Sequence, residues 1–128
     1  TTDGDNRTPV GEYRITQKAK GPFDGGYGAY LGAAWLRLNY PNTFDARIAL
    51  IENRITKKEH DRITAAAQHG LLAPTDTSLG GGIGIHGWIS DWPDGNHHLT
   101  WGCMSLRKAD LLQLHDWVSK GTRVLILP

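Results

Sequence analysis

The chain holds one cysteine in 128 residues, and the residues around it are of the kinds from which an acyl-transfer site is built. Cys103 follows Gly102, and a histidine, His86, lies upstream within the same stretch from Ile85 to Leu106. A thiol attacks a carbonyl as its thiolate, and a free thiol of pKa about 8.5 is only a few per cent ionised at neutral pH. It needs a base or a positive dipole close by, and His86 is the first candidate. Gly102 lets the main chain approach a substrate carbonyl, and the successive N–H groups of Gly102 and Cys103 can meet a developing oxyanion. The plainer reading of a lone cysteine is a small buried hydrophobe, so the surrounding motif has to decide.

Ile85-His86-Gly87, followed after a gap by Thr100-Trp101-Gly102-Cys103-Met104-Ser105, resembles the signature of the L,D-transpeptidase catalytic domain (YkuD type). Three further blocks resemble that family: Arg7-Thr8-Pro9-Val10-Gly11-Glu12-Tyr13 its entry segment, Leu38-Asn39-Tyr40-Pro41-Asn42 with Asp45 a block of one branch, and Gly121-Thr122-Arg123-Val124 its closing strand. The resemblance implies that Cys103 is the nucleophile and His86 the general base and acid. It also implies that a main-chain carbonyl orients the histidine, and Gly87 matches that position. The implied donor is a peptidoglycan stem peptide cut before its terminal D-Ala; the acceptor is another stem or a protein amine. Relatives with the Leu-Asn-Tyr-Pro-Asn block include hydrolases that release a wall-anchored lipoprotein, so a lipoprotein partner and hydrolysis are implied variants. No cofactor is implied, and the location implied is the cell envelope, periplasmic or otherwise extracytoplasmic.

Two positions depart from the family pattern. Trp101 stands where many relatives have histidine, and Ser105 where they have asparagine or arginine, leaving Arg107 to contact the donor stem. The expected substrate-lining set is therefore Asn39, Tyr40, Trp88, Thr100, Trp101, Ser105 and Arg107. Trp88, Trp92 and Trp101 would exclude water and favour an amine acceptor, or else fill core.

The elements that must position these residues follow from composition and pattern. The length fits one domain, residues 1–128, with a single core. Family members usually begin with further strands before the Thr-Pro segment, so this domain is expected to lack them. Fourteen basic and thirteen acidic side chains give a net charge of +1, which offers nucleic acid or an anionic membrane no field to follow. No apolar run reaches the 18 or so residues of a membrane span. The polar Thr1 to Asn6 lacks the apolar core of a signal peptide. Sixteen glycines with five tryptophans and four tyrosines suit many turns between strands. The expected class is mainly β with two short α-helices, a sandwich or mixed sheet.

Glu12 to Thr16 alternates as a half-buried strand, Lys18 to Gly28 reads as a loop, and Tyr30 to Tyr40 reads as a strand stopped by Pro41-Asn42. Asn39 and Tyr40 then sit at a strand end, either lining a cleft or serving as turn former and core. Thr56-Lys57-Lys58-Glu59 is a capping box opening a helix that Gly70 closes. The glycines from Leu79 to Gly84 lack the spacing of a phosphate loop, and Ile83 and Ile85 read as a strand delivering His86 to its end. Trp88 to Leu99, with Asp91, Asp94, His97 and His98, reads as a rim or short lid. Ser105 is read as the N-cap of a helix carrying Leu111, Leu114, His115 and Val118, with His115 a core histidine; Thr122 to Leu127 returns as a strand.

Three alternatives stand beside this reading. A sortase is echoed faintly by Leu99-Thr100-Trp101-Gly102-Cys103 with Arg123, but places its histidine much farther upstream. His86, His97, His98 and Cys103 could ligate zinc, although none is paired at the usual Cys-x-x-Cys or His-x-x-x-His spacing. A non-catalytic wall-binding module would use the aromatic surface alone.

Overall fold

The computed structural model describes residues 1–87 and 100–128. A mixed sheet of five strands forms the centre, with short helices around it, in a single small domain. Strand β1 runs Gly11–Lys20, β2 Ala34–Leu38, β3 Gly84–His86, β4 Met104–Ser105 and β5 Arg123–Ile126, in the spatial order β4-β3-β2-β1-β5. All neighbours are antiparallel except β3 and β4, which are parallel.

Strand β2 shows why the sheet has a working face. Its residues alternate in burial, with Ala34, Leu36 and Leu38 in the core and Trp35 and Arg37 half-buried on the other side, as the period of two dictates. Trp35 is in register with His86, and His86 with Ser105. These three side chains therefore share the face opposite Leu36 and Ile85.

Helix α1 covers Gly28–Leu31, α2 Thr43–Ile51, α3 Lys57–Gln68 and α4 Lys108–Trp117. The capping box of α3 is present as expected, with Thr56 accepting from the Glu59 N–H and Glu59 reaching back to Thr56. A second capping box, Asn42 with Asp45, starts α2. That helix was not anticipated. The core joins Tyr13 and Ile15 of β1, the inner face of β2, Ala46 and Ala49 of α2, Ile63 of α3, Ile85 of β3 and Leu111 of α4.

Three local expectations are corrected. The expected loop from Lys18 begins only after Lys20, because Lys18, Ala19 and Lys20 pair with Leu36, Trp35 and Ala34. The expected strand from Tyr30 is shorter: Tyr30 belongs to α1, and pairing starts at Ala34. Ser105 does not cap α4, since it is taken up by β4; Arg107 holds the N-cap position, and its side chain does not cap the helix. The expected rim from Trp88 to Leu99 lies outside the described residues. Among the described residues no helix is long and apolar enough to cross a membrane.

Candidate active site

Cys103 immediately precedes β4, and three features fix it there. Gly102 has φ +101°, a conformation open to glycine, and a Cβ on it would lie 2.7 Å from the Arg7 carbonyl oxygen. The Thr100 hydroxyl donates to the Cys103 carbonyl at 2.8 Å and closes the turn. The parallel pairing of Ile85 with Met104 and His86 with Ser105 then locks the following residues beside β3. Gly84, in the row next to Trp35, has no room for a side chain: a Cβ would stand 2.5 Å from the indole of Trp35 and from the Leu36 carbonyl oxygen.

The thiol opens into a cavity of about 520 Å³ whose lining includes Tyr27, Tyr30, Trp35, Gly82, Trp101 and Cys103. Trp101 is 62% exposed, and its ring lies 5.1 Å from that of Tyr30 and 5.8 Å from that of Tyr27. The cavity is an aromatic trough with a sulfur at its floor. Burial pushes the Cys103 thiol above its ordinary value, opposed by the Gly84 N–H and the Tyr30 hydroxyl, both of which favour the thiolate. The thiol itself donates to the Gly82 carbonyl oxygen at 3.6 Å.

His86 is completely buried. Burial lowers its basicity, and the Tyr30 main chain partly restores it. The Tyr30 ring lies 4.2 Å from the imidazole, tilted by 45°, and Trp35 approaches from 6.2 Å. Among the described residues neither ring nitrogen makes a hydrogen bond of ordinary geometry. The imidazole is thus neutral, dry and sandwiched by aromatics, a state able to accept a proton once a donor is presented.

Among the described residues the main chain that acts on the ring is that of Tyr30, and no hydrogen bond joins the imidazole to the Gly87 carbonyl. Gly87 serves close packing. Its N–H donates to the Leu31 carbonyl at 3.4 Å, and a Cβ on it would lie 2.2 Å from the Leu106 carbonyl oxygen and 3.2 Å from Leu111.

The other predicted residues divide. Trp101 lines the cavity. Ser105 stands in register with His86, its hydroxyl buried, and Arg107 is exposed at the start of α4. Thr100 spends its hydroxyl proton on the Cys103 turn. Tyr40 is core, 3% exposed, with its hydroxyl donating to Leu79 and meeting the Thr1 hydroxyl. Asn39 accepts from the Arg14 N–H at 2.8 Å and lines a separate hollow with Pro41 and Ile63. Neither Asn39 nor Tyr40 lines the Cys103 cavity, because the Leu-Asn-Tyr-Pro-Asn block leaves β2 at the end away from His86. Trp88 and Trp92, and the His97 and His98 of the zinc alternative, lie outside the described residues. Among the described residues no group of three or more His, Cys, Asp or Glu side chains could hold a metal ion.

Tyr30 and Tyr27 were missed. Their spacing of three places both on one side of a helical turn, a signal obscured by assigning Tyr30 to a strand.

Among known proteins, a crystal structure of the helical cell shape determining protein Pgp2 from Campylobacter jejuni superposes with a TM-score of 0.58 at 26% identity, covering 96% of this chain and 32% of that one. The structure of Bdellovibrio bacteriovorus Bd1075 superposes with a TM-score of 0.58 at 24% identity, covering 94% of this chain and 33% of that one, a likeness of fold. This chain therefore spans about a third of the length of these relatives. No curated protein matches. Residues 1–126 match the L,D-transpeptidase catalytic domain, YkuD, and with an aromatic cavity around Cys103 and His86 behind it, the chain belongs to that family.

Proposed function

We propose that this domain is a cysteine-dependent L,D-transpeptidase acting on peptidoglycan stem peptides. The observation that carries the reading is a nucleophile-bearing turn opening into an aromatic cavity, with a neutral, buried imidazole on the same side of the sheet. Cys103 Sγ attacks the carbonyl before the terminal D-Ala of the donor. The thiol proton passes to His86 and from there to the leaving amine as the C–N bond breaks, and a thioester remains. An acceptor amine then attacks the thioester: a C–N bond forms, the C–S bond breaks, and the proton returns to sulfur through His86. Water in place of the amine gives hydrolysis from the same acyl-enzyme.

The thiol must turn away from the Gly82 carbonyl to present its proton to His86, and such bonds commonly tighten only when substrate is bound. The main-chain N–H groups of Gly102 and Cys103 are assigned to the oxyanion, and Trp101 and Ser105 to the walls that meet the stem. Arg107 supplies a positive charge for a donor carboxylate. Action on the wall places the domain outside the cytoplasm. The Campylobacter relative determines helical cell shape, and remodelling of the wall that sets shape is the role proposed for this chain.

The test is incubation with purified muropeptides and, separately, with a carbapenem, read by intact mass and product analysis. Wild type should carry one covalent adduct and release D-Ala; Cys103→Ala and His86→Ala should do neither while keeping the fold. Crosslinked products identify a transpeptidase, and trimmed stems or freed lipoprotein identify a hydrolase. An adduct retained in Cys103→Ala would end the proposal.

A further inference from the structure

On the β2 side the cavity is walled by one half-buried indole. Trp35 is the cross-strand partner of His86, and its ring stands 6.2 Å from the imidazole at 46°. The indole also lies over the neighbouring Gly84, where a Cβ would stand 2.5 Å from its Cη2 and 2.7 Å from its Cζ3. Gly84 and Cys103 come one residue before the Ile85–Met104 pair of the parallel strands, and Trp35 and Cys103 line the same cavity. The six-membered ring thus fills the place that a side chain on Gly84 would take, in the row next to the cysteine. Only glycine at that position admits it.

We propose that Trp35 is a specificity-determining residue: its indole is the wall that the amine side of the substrate packs against, admitting unbranched substituents and refusing β-branched ones. This rests on the reading of Cys103 and His86 as nucleophile and base, and names what that pair selects. The chemistry fixes which side of the substrate meets the wall. His86 protonates the departing amine and takes the proton of the incoming one, so both amines come within hydrogen-bond reach of the imidazole. His86 stands on β3, between the strand that follows the cysteine and the strand of Trp35, and a substituent that the amine carries toward β2 therefore meets the indole. A flat, rigid ring leaves room there for a hydrogen, a methyl group or the start of a linear chain. A second methyl on the first side-chain carbon runs into it, and a packed wall does not yield without cost. No charged side chain lines the cavity among the described residues, so the wall reads size and shape.

The test uses no wall substrate. Acetyl transfer from p-nitrophenyl acetate to Cys103 releases p-nitrophenolate, and the thioester is offered equal amounts of D-alaninamide and D-valinamide. The amine forms its C–N bond as the C–S bond breaks, its proton returns to sulfur through His86, and the two acetylated amides are counted by mass. Their ratio is internal to each sample, so differences in overall rate or in folded fraction cancel. Wild type should favour D-alaninamide beyond the ratio that a free acetyl thioester gives with the same two amines. Trp35→Ala should raise the share of D-valinamide product about 10-fold, and Trp35→Phe, which keeps a smaller flat ring and guards against a variant that does not fold, about 3-fold. A ratio equal to wild type in the folded variants would overturn the proposal, as would a wild type that matches the free thioester or forms neither amide. Acylation is read separately, as p-nitrophenolate release above that of Cys103→Ala. No such release overturns the proposed function together with this inference, whereas release with an unchanged amine ratio overturns this inference alone.

Discussion

Cys103 is reactive only if donors around it offset the cost of charging a buried sulfur, and here the offset is partial. Desolvation holds the thiol above its ordinary value, against the Gly84 N–H and the Tyr30 hydroxyl. The same burial drives the His86 imidazole below its ordinary 6.5. At neutral pH the resting pair is therefore thiol and neutral imidazole, with the proton moved only when the acyl donor arrives. Acylation should rise with pH as His86 loses its proton, giving an acid limb with a midpoint below 6.5, and then stay level until the thiol itself ionises; a pH series of adduct formation checks this. An acid limb above that value would contradict a buried base. Gly102 makes a second prediction at this scale. Alanine there must adopt φ +101° with its Cβ 2.7 Å from the Arg7 carbonyl oxygen, so Gly102→Ala should cost roughly 1–3 kcal/mol in denaturant unfolding. Cys103, His86 and Gly102 were legible in the sequence because their types and order are chemically distinctive. Tyr30 was not, since a tyrosine distant in sequence from the motif announces nothing until the sheet brings it over the imidazole.

Helix α3 shows how an element far from the reacting atoms still supports them. The Glu59 carboxylate accepts from the Thr56 N–H at 2.8 Å and hydroxyl at 3.0 Å, and from the Ser78 N–H at 2.7 Å and hydroxyl at 2.8 Å. It thus ties the helix start to the segment that enters the glycine run before β3. These donors, the Thr56 N–H foremost, hold the carboxyl at about 2, well under its usual 4.5. Stability from this group is present above about pH 4.5 and is lost as pH falls toward 2, so Glu59→Gln should flatten the acid limb of a urea-unfolding midpoint plotted from about pH 6 down to about 2.5. Thr56→Ala should cost about 1 kcal/mol through the lost cap. This box was readable because both partners lie within one short stretch, whereas Ser78, the long-range partner, was not. The equivalent box of α2 was present in the sequence as Asn42 and Asp45 but was absorbed into the end of a strand. Asp45 there also accepts from the Tyr13 hydroxyl at 3.0 Å, a contact between β1 and α2 that no local pattern encodes.

At the scale of the whole molecule, the candidate site lies at the end of the sheet where β3 and β4 run parallel, and a short pair of strands needs support from outside itself. That support is α4. Leu111 is fully buried and packs toward Gly87, the Leu106 carbonyl crowds the same glycine, and the Leu106 N–H donates to the His86 carbonyl at 2.8 Å. The helix therefore packs on β2 and, through Leu111, against Gly87 at the end of the strand that carries the imidazole. Alternating apolar residues announced β1 and β3, but the parallel partnership of β3 with β4 follows from tertiary closure and has no sequence period of its own. If this junction sets the spacing between base and nucleophile, damage to it should impair reactivity beyond its effect on stability. Leu111→Ala and Ile63→Ala each remove a buried branched side chain, and each should cost roughly 2–5 kcal/mol. Ile63 sits in α3 at 1% exposure and lines the hollow beside Asn39, on a different part of the surface. Under conditions where both variants remain folded, Ile63→Ala should acylate at the wild-type rate, and Leu111→Ala should acylate several-fold more slowly. Equal rates in the two folded variants would mean that β3 and β4 hold their register without the helix, and that the site draws its geometry from the turn at Gly102 alone.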